Sequence, residues 1–168
     1  YDFDDLPILG IRNLNFKELE EKGKSKIGIV FNLDNHDQTG SHWVALFADL
    51  KKNQVYFFDS FASPPGKRIK KFISRIAKYI YKRDNGKKLR LRSIIKHLKK
   101  NNKYQSASFK NMDLQYNQIQ HQFGNSECGV YSINFILRLV KGESFENITK
   151  NITKDEEMNL NRKKYFIN

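Results

Sequence analysis

The sequence predicts an α+β fold, and three observations carry that expectation. Three short strand-like apolar runs follow one another between residues 27 and 58. The hydrophobic period then changes to a helical one over 69–80, and a second, cleaner helical stretch runs from 126 to 142. Strands adjacent in sequence and flanked by helices point to one sheet with helices packed on it. At 168 residues, with no Gly/Ser/Pro linker and no internal repeat, the chain is expected to form a single domain over 1–168. Hydrophobic residues at 39% and aromatics at 13% exclude disorder of the chain as a whole.

Residues 27–33 (IGIVFNL) suit a buried strand, and a polar loop follows at 34–41. The run at 42–48 (HWVALFA) is again strand-like, residues 49–53 (DLKKN) read as a turn, and 54–58 (QVYFF) completes a hairpin that ends at Asp59. Pro64-Pro65-Gly66 punctuates before a helix with Ile69, Phe72, Ile73, Ile76 and Ile80 on one face. Residues 89–99 repeat that style through Leu91, Ile94, Ile95 and Leu98, and a strand is expected near 112–119. The clearest helix begins after Asn125 or Ser126, with Val130, Ile133, Leu137 and Val140 as its expected stripe, Arg138 and Lys141 in its last turn and Gly142 beyond it. Thr153 with Glu156 three residues on has the form of a capping box, predicting a last helix over 154–164.

The net charge of +13 is unevenly spread. Residues 65–103 hold 16 Lys and Arg against the single acid Asp84, and the rest of the chain has 15 basic and 17 acidic residues. Cations at this density attract polyanions by counterion release, so non-specific DNA binding through residues 67–103 is one expectation. Solvated faces of two amphipathic helices are the other. No zinc finger and no RNA-binding aromatic motif is present. One Cys excludes a disulfide framework and a Cys-based zinc site, and the four His (36, 42, 97, 121) show no metal-ligand spacing. No metal or other cofactor is expected. No apolar run reaches the ~18 residues of a membrane span, and no secretory signal opens the chain, so no membrane partner is expected and a cytoplasmic, reducing compartment is. The chain opens on Tyr1-Asp2-Phe3 rather than Met, as expected of a catalytic piece of a longer protein. Lys, Asn, Ile, Phe and Tyr, all with A/T-rich codons, supply 77 of its 168 residues, which points to an A/T-rich genome. The sequons at Asn147 and Asn151 read as a by-product of that bias.

The one Cys, Cys128, falls in the first turn of the clearest helix, where unpaired N–H groups and the helix dipole favour a thiolate. Gly124 allows a turn before that helix, and Gly129 leaves no side chain to block a substrate backbone. Gln122, six residues before Cys128, is placed to aim its amide at a developing oxyanion. His42 opens one strand and Asp59 ends the next, so an antiparallel pair joined by a short turn brings the two side chains within reach. A carboxylate there fixes the imidazole tautomer and stabilises its charged form. Considered singly, Cys128 suits a small core position and any one His a structural role; the three together favour chemistry.

These residues, His42-Trp43, Asp59 in Phe57-Phe58-Asp59-Ser60, and Gln122 in Gln122-Phe123-Gly124-Asn125-Ser126-Glu127-Cys128-Gly129, resemble the signature of the SUMO and ubiquitin-like-protein-specific cysteine proteases. That clan includes the adenovirus-type protease and the maturation proteases of large DNA viruses. Residue types, chain order, spacings and strand or helix context agree over roughly 27–142, and the tail from Leu139 to Phe166 is similar to the end of the large-virus members. The resemblance implies a papain-like, adenovirus-protease-like fold with a central mixed sheet flanked by helices and the catalytic Cys at a helix N-terminus. It also implies Cys128 as nucleophile, His42 as base, Asp59 as its orienter, Gln122 with the Cys128 backbone N–H as oxyanion hole, and Trp43, next to the base, as a wall of the substrate channel, with Gly129 as a second substrate-binding position.

By the same resemblance the reaction is thiol endopeptidase cleavage after small residues, of the Gly-Gly-X type, with the processing of viral structural polyproteins favoured over release of a SUMO- or ubiquitin-like modifier. A viral member of this kind would act in the infected host cell and the virion and would not be secreted. The basic segment and short upstream region depart from deconjugating enzymes. An acetyltransferase on the same Cys-His-acid fold is the next reading within enzymes, and a non-enzymatic nucleic-acid-binding module is the reading outside them.

Overall fold

The computed structural model describes residues 11–33, 42–86, 88 and 112–166. The expected loop at 34–41, the expected helix at 89–99, His36 and His97 lie outside the described residues.

Four strands, β1 (Lys26–Asn32), β2 (Trp43–Asp49), β3 (Gln54–Phe58) and β4 (Asp113–Tyr116), form one sheet in the order β1-β2-β3-β4. The first two pairings are antiparallel, and β4 runs parallel to β3, so the sheet is mixed as the resemblance implied. The helices are α1 (Phe16–Glu21), α2 (Lys67–Asn85), α3 (Cys128–Val140), α4 (Phe145–Lys150) and α5 (Asp155–Tyr165).

The strand runs lack polar alternation because both faces of the sheet are covered. Val44, Leu46, Ala48, Val55, Phe57 and Leu114 face Ile69, Phe72, Ile73, Ile76 and Ile80 of α2. Their neighbours Ala45, Phe47, Tyr56 and Phe58 pack on Val130, Tyr131, Phe135 and Leu139 of α3, with Phe145 and Ile148 of α4 and Met158 of α5 behind. The tight β2–β3 turn is closed by Asp49, whose Oδ1 accepts the N–H groups of Lys51 and Lys52 at 3.1 Å each, and by Asn53 at φ 56°. The approach of α3 to β1 depends on Gly28, where a Cβ would lie 2.7 Å from Cγ2 of Ile136.

The stripe of α3 differs from the expected one. Val130 is buried, but Leu137 and Val140 are exposed, and Tyr131, Phe135 and Leu139 face the sheet. Apolar residues occupy much of this helix's circumference, so period alone does not select the face; the sheet does.

The caps also differ. The N-cap of α3 is Glu127, without a side-chain cap bond, so Cys128 is the first helical residue. Ser126 is engaged elsewhere, its hydroxyl with the Glu127 carboxylate and its carbonyl with Arg162. The Thr153–Glu156 capping box does not form, because Lys154 is still extended (φ −71°, ψ 156°) and is itself the N-cap of α5. The short α4, capped by Ser144 through the Asn147 N–H at 3.1 Å, was not anticipated; its six residues are fewer than a periodic pattern needs. No helix among the described residues is long and apolar enough to cross a membrane.

Candidate active site

The register of β2 on β3 pairs Ala45 with Phe58. His42 immediately precedes β2 and Asp59 immediately follows β3, so the antiparallel pair carries both to the same end of the sheet. His42 Nε2 lies 2.8 Å from Asp59 Oδ1, and the carboxylate is 2% exposed. The same oxygen accepts the Phe61 N–H at 2.8 Å. Phe61 then lays its ring 5.1 Å from that of His42, covering the imidazole. With Nε2 donating to Asp59, Nδ1 is the nitrogen left for chemistry. It is buried and meets no partner at strict hydrogen-bond geometry among the described residues.

Cys128 faces that nitrogen from the first position of α3, and each group shifts the other's protonation. The hydrogen bond to Asp59, then the interaction with Cys128, push the His42 pKa up to about 9 in spite of desolvation. Burial pushes the Cys128 thiol up, but His42, the Trp43 and Gly129 backbone groups and the attraction of the imidazolium together bring it below its ordinary value. The two shifts run in opposite directions and favour a thiolate–imidazolium pair. Direct hydrogen-bond geometry is not met at His42 Nδ1, and the two groups act on each other through their proximity.

Gln122 is fully buried and fixed at both ends of its amide. Oε1 accepts the Ser60 hydroxyl at 2.7 Å, and Nε2 donates to the Gly124 carbonyl at 2.8 Å. One amide proton is thereby used and the other is left uncommitted. Ser60 follows Asp59 directly, and its carbonyl accepts the His121 and Gln122 N–H groups at 2.8 and 3.0 Å, so the acid-bearing and amide-bearing loops are stapled together. Trp43, 38% exposed, stands next to Gly129, where a Cβ would meet its ring at 3.9 Å. His121 is structural: it is buried, with Nε2 3.2 Å from the Thr149 carbonyl and its ring edge-on to Phe58, and burial lowers its pKa.

Sequence reasoning missed Asn117. This buried amide accepts the Asp59 N–H at 2.9 Å and donates to the Asp59 carbonyl at 2.6 Å, extending the β3–β4 ladder by one side chain and fixing the backbone that carries the acid. It fell inside the strand expected near 112–119, whereas β4 ends at Tyr116 and leaves Asn117 just beyond it, so the sequence carried no signal for its role. Phe61 was missed as well, since its role depends on the turn after Asp59.

Residues 22–168 match the Ulp1 protease family, C-terminal catalytic domain. The chain belongs to that family. A protein of Acanthamoeba polyphaga mimivirus named as a thiol protease is 34% identical over 167 residues, covering 99% of this chain and 47% of that protein. A SUMO-1 cysteine protease of an African swine fever virus isolate from Kenya is 28% identical over 134 residues, covering 78% of this chain and 40% of that protein. The chain therefore spans about half the length, or less, of these curated relatives. Among solved structures, the African swine fever virus protease superposes with a TM-score of 0.62 at 22% identity, over 89% of this chain and 52% of that one. The SUMO protease Ulp1 with its catalytic cysteine oxidized to a sulfinic acid gives 0.50 at 17% identity, over 94% and 59%. These likenesses establish the papain-like α+β fold expected from the sequence.

Proposed function

We propose that this chain is a thiol endopeptidase domain whose nucleophile is Cys128. The observation that carries the reading is the geometry, His42 Nε2 held 2.8 Å from buried Asp59 with Cys128 at the first position of α3, and the upward shift at His42 and downward shift at Cys128 agree with it. The Cys128 thiolate attacks the scissile carbonyl carbon, and the C=O electron pair moves onto oxygen. The free Nε2–H of Gln122 and the Cys128 backbone N–H receive that oxyanion. The His42 imidazolium gives its Nδ1 proton to the leaving amine as the C–N bond breaks. Water, deprotonated by His42, then attacks the thioester, releasing the acid and restoring the thiolate–imidazolium pair.

The substrate is a protein cut after a small residue, of the Gly-Gly-X type, and the biological reaction is the processing of a viral structural polyprotein. Support comes from Trp43 beside Gly129, which leaves a channel floor without a side chain, and from the viral relatives. The alternative within the same chemistry is cleavage after the tail of a SUMO- or ubiquitin-like modifier. Kinetics on a Gly-Gly-X peptide and on a modifier fusion separate the two. The proposal expects the peptide to be cut after the second Gly, by the wild type and not by Cys128→Ala; efficient cleavage of the fusion alone would favour deconjugation.

A second property is favoured by a specific observation on α2. Arg75 turns inward to the Ile11 and Leu14 carbonyls, and Arg83 binds Glu20, Asp84 and the Leu50 carbonyl. Lys67, Arg68, Lys70, Lys71, Lys78 and Lys82 have no acidic partner among the described residues. This unneutralised face supports non-specific DNA binding alongside proteolysis.

A further inference from the structure

The loop that carries Gln122 is gripped from a direction the catalytic constellation does not explain. Asp155 is the first residue of α5, 27 positions beyond Cys128. One of its carboxylate oxygens, Oδ2, accepts two consecutive backbone N–H groups of that loop, Phe123 at 2.9 Å and Gly124 at 2.7 Å. The other, Oδ1, lies 2.9 Å from the hydroxyl of buried Tyr131 in α3. That phenol is also within 2.7 Å of the Thr153 carbonyl and 3.1 Å of the His121 carbonyl. The carboxylate is thus itself oriented by the helix that begins with Cys128.

The contacts form a continuous chain. Asp155 holds the N–H of Gly124, the Gly124 carbonyl accepts Nε2–H of Gln122, and Gln122 Oε1 accepts the hydroxyl of Ser60 beside Asp59. Phe123 has its backbone pinned while its side chain is 73% exposed, so the exposure of that ring does not reflect a loose loop. A second residue of α5, Arg162, bonds the Ser126 carbonyl and lies 3.7 Å from Glu127, at the other end of the same loop. Charge-assisted bonds from a carboxylate to backbone N–H groups are roughly twice as strong as neutral ones. Three hydrogen bonds therefore separate a charged anchor from the acid-bearing loop, with the oxyanion amide in the middle.

We infer that Asp155 is a positioning residue for the oxyanion hole, holding Gln122 in register with Cys128 through the backbone of Phe123 and Gly124. It touches no reacting atom. The inference rests on the thiol-endopeptidase reading, and two reactions of Cys128 separate the failure of one from the failure of the other. Alkylation by iodoacetamide, in which the thiolate displaces iodide, develops no oxyanion. Binding of a peptide ending in a Gly-Gly aldehyde forms a C–S bond and moves the carbonyl pair onto oxygen, so it needs the hole.

The test compares the full chain with Asp155→Ala, Asp155→Ser and Asp155→Asn. Serine keeps a polar helix start, but its hydroxyl is too short for both N–H groups; asparagine keeps an oxygen that reaches them without the charge. For the Ala and Ser variants the expected result is a fall in kcat of about tenfold or more, below the ~10²–10³ of losing an oxyanion donor outright. KM stays within about twofold, aldehyde inhibition weakens by the same factor as kcat, and alkylation is unchanged. Asn recovers part of the loss. Wild-type alkylation at Cys128 without aldehyde binding or cleavage would refute the underlying protease reading instead. The inference itself is overturned by an unchanged kcat in the Ala and Ser variants, by alkylation falling in step with aldehyde binding, or by loss of the cooperative fold in both of them, which would make Asp155 a folding residue.

Discussion

At the scale of single residues the site depends on which form of His42 and Cys128 is populated. His42 is pushed up to about 9, first by its bond to Asp59, and Cys128 is lowered. The reactive pair therefore exists above the Cys128 pKa and below that of His42, and the two limbs belong to the coupled pair rather than to either residue. Peptide cleavage should rise with pH along an acid limb that lies below an ordinary thiol and fall along an alkaline limb near 9. Asp59→Asn removes the largest cause of the upward shift, so the alkaline limb should move down toward the ordinary imidazole value of about 6.5, as kcat/KM measured across pH would show. An unmoved limb would detach Asp59 from the base. Gln122→Ala should reduce kcat by about 10²–10³ with little change in KM, measured on a Gly-Gly-X peptide.

Much of this residue-level picture was legible in the sequence, because it follows from simple geometry. A His opening one strand and an Asp closing the next meet whenever the hairpin is tight, and the Asp49–Asn53 turn makes it so. Asn117 and Asp155 were not legible in these roles. Their partners are backbone groups 58 and 31–32 positions away, and backbone groups carry no sequence signal. The capping-box reading of Thr153 even assigned the helix start one residue too early, which hid the carboxylate that serves the loop.

At the scale of elements, the placement of Cys128 depends on α3 lying close against β1 and β2. Gly28 permits that approach, and a methyl there would sit 2.7 Å from the γ2 methyl of Ile136. Gly28→Ala should destabilise the fold by about 1–3 kcal/mol, as overpacking does, measured by denaturant unfolding. A variant as stable as the parent would mean that α3 can shift without loss. Asn117→Ala leaves the N–H and C=O of Asp59 without their buried partner, at about 1–3 kcal/mol for each orphaned group, and the same titration checks it. Strands were readable here as apolar runs and α2 as a periodic one. The inward face of α3 was not, because its sequence offers two apolar stripes and only the finished sheet chooses between them.

At the scale of the whole molecule, the charge asymmetry remains the feature the proposed cleavage chemistry does not use. Two of the eight basic residues of α2, Arg75 and Arg83, are committed to internal contacts. The six others leave an unneutralised face that should bind duplex DNA without sequence preference, its affinity falling with salt at a slope of about −0.9 per phosphate neutralised. Replacing Lys67, Arg68 and Lys71 with Glu should flatten that slope while leaving short-peptide cleavage intact. Absence of binding at ~50 mM salt would reduce the basic face to solvated surface. Composition made this asymmetry visible from the start; which of its cations are free depended on the fold.

The central claim, that Cys128 and His42 form an acyl-transfer pair, is tested most directly by mass spectrometry after exposure to a peptide ending in Gly-Gly with a vinyl sulfone in place of its terminal carboxyl. The account predicts one adduct, located on Cys128, in the wild type and strongly reduced labelling in His42→Ala, with both proteins folded. Equal labelling of the two, or a folded wild type that stays unlabelled, would contradict it.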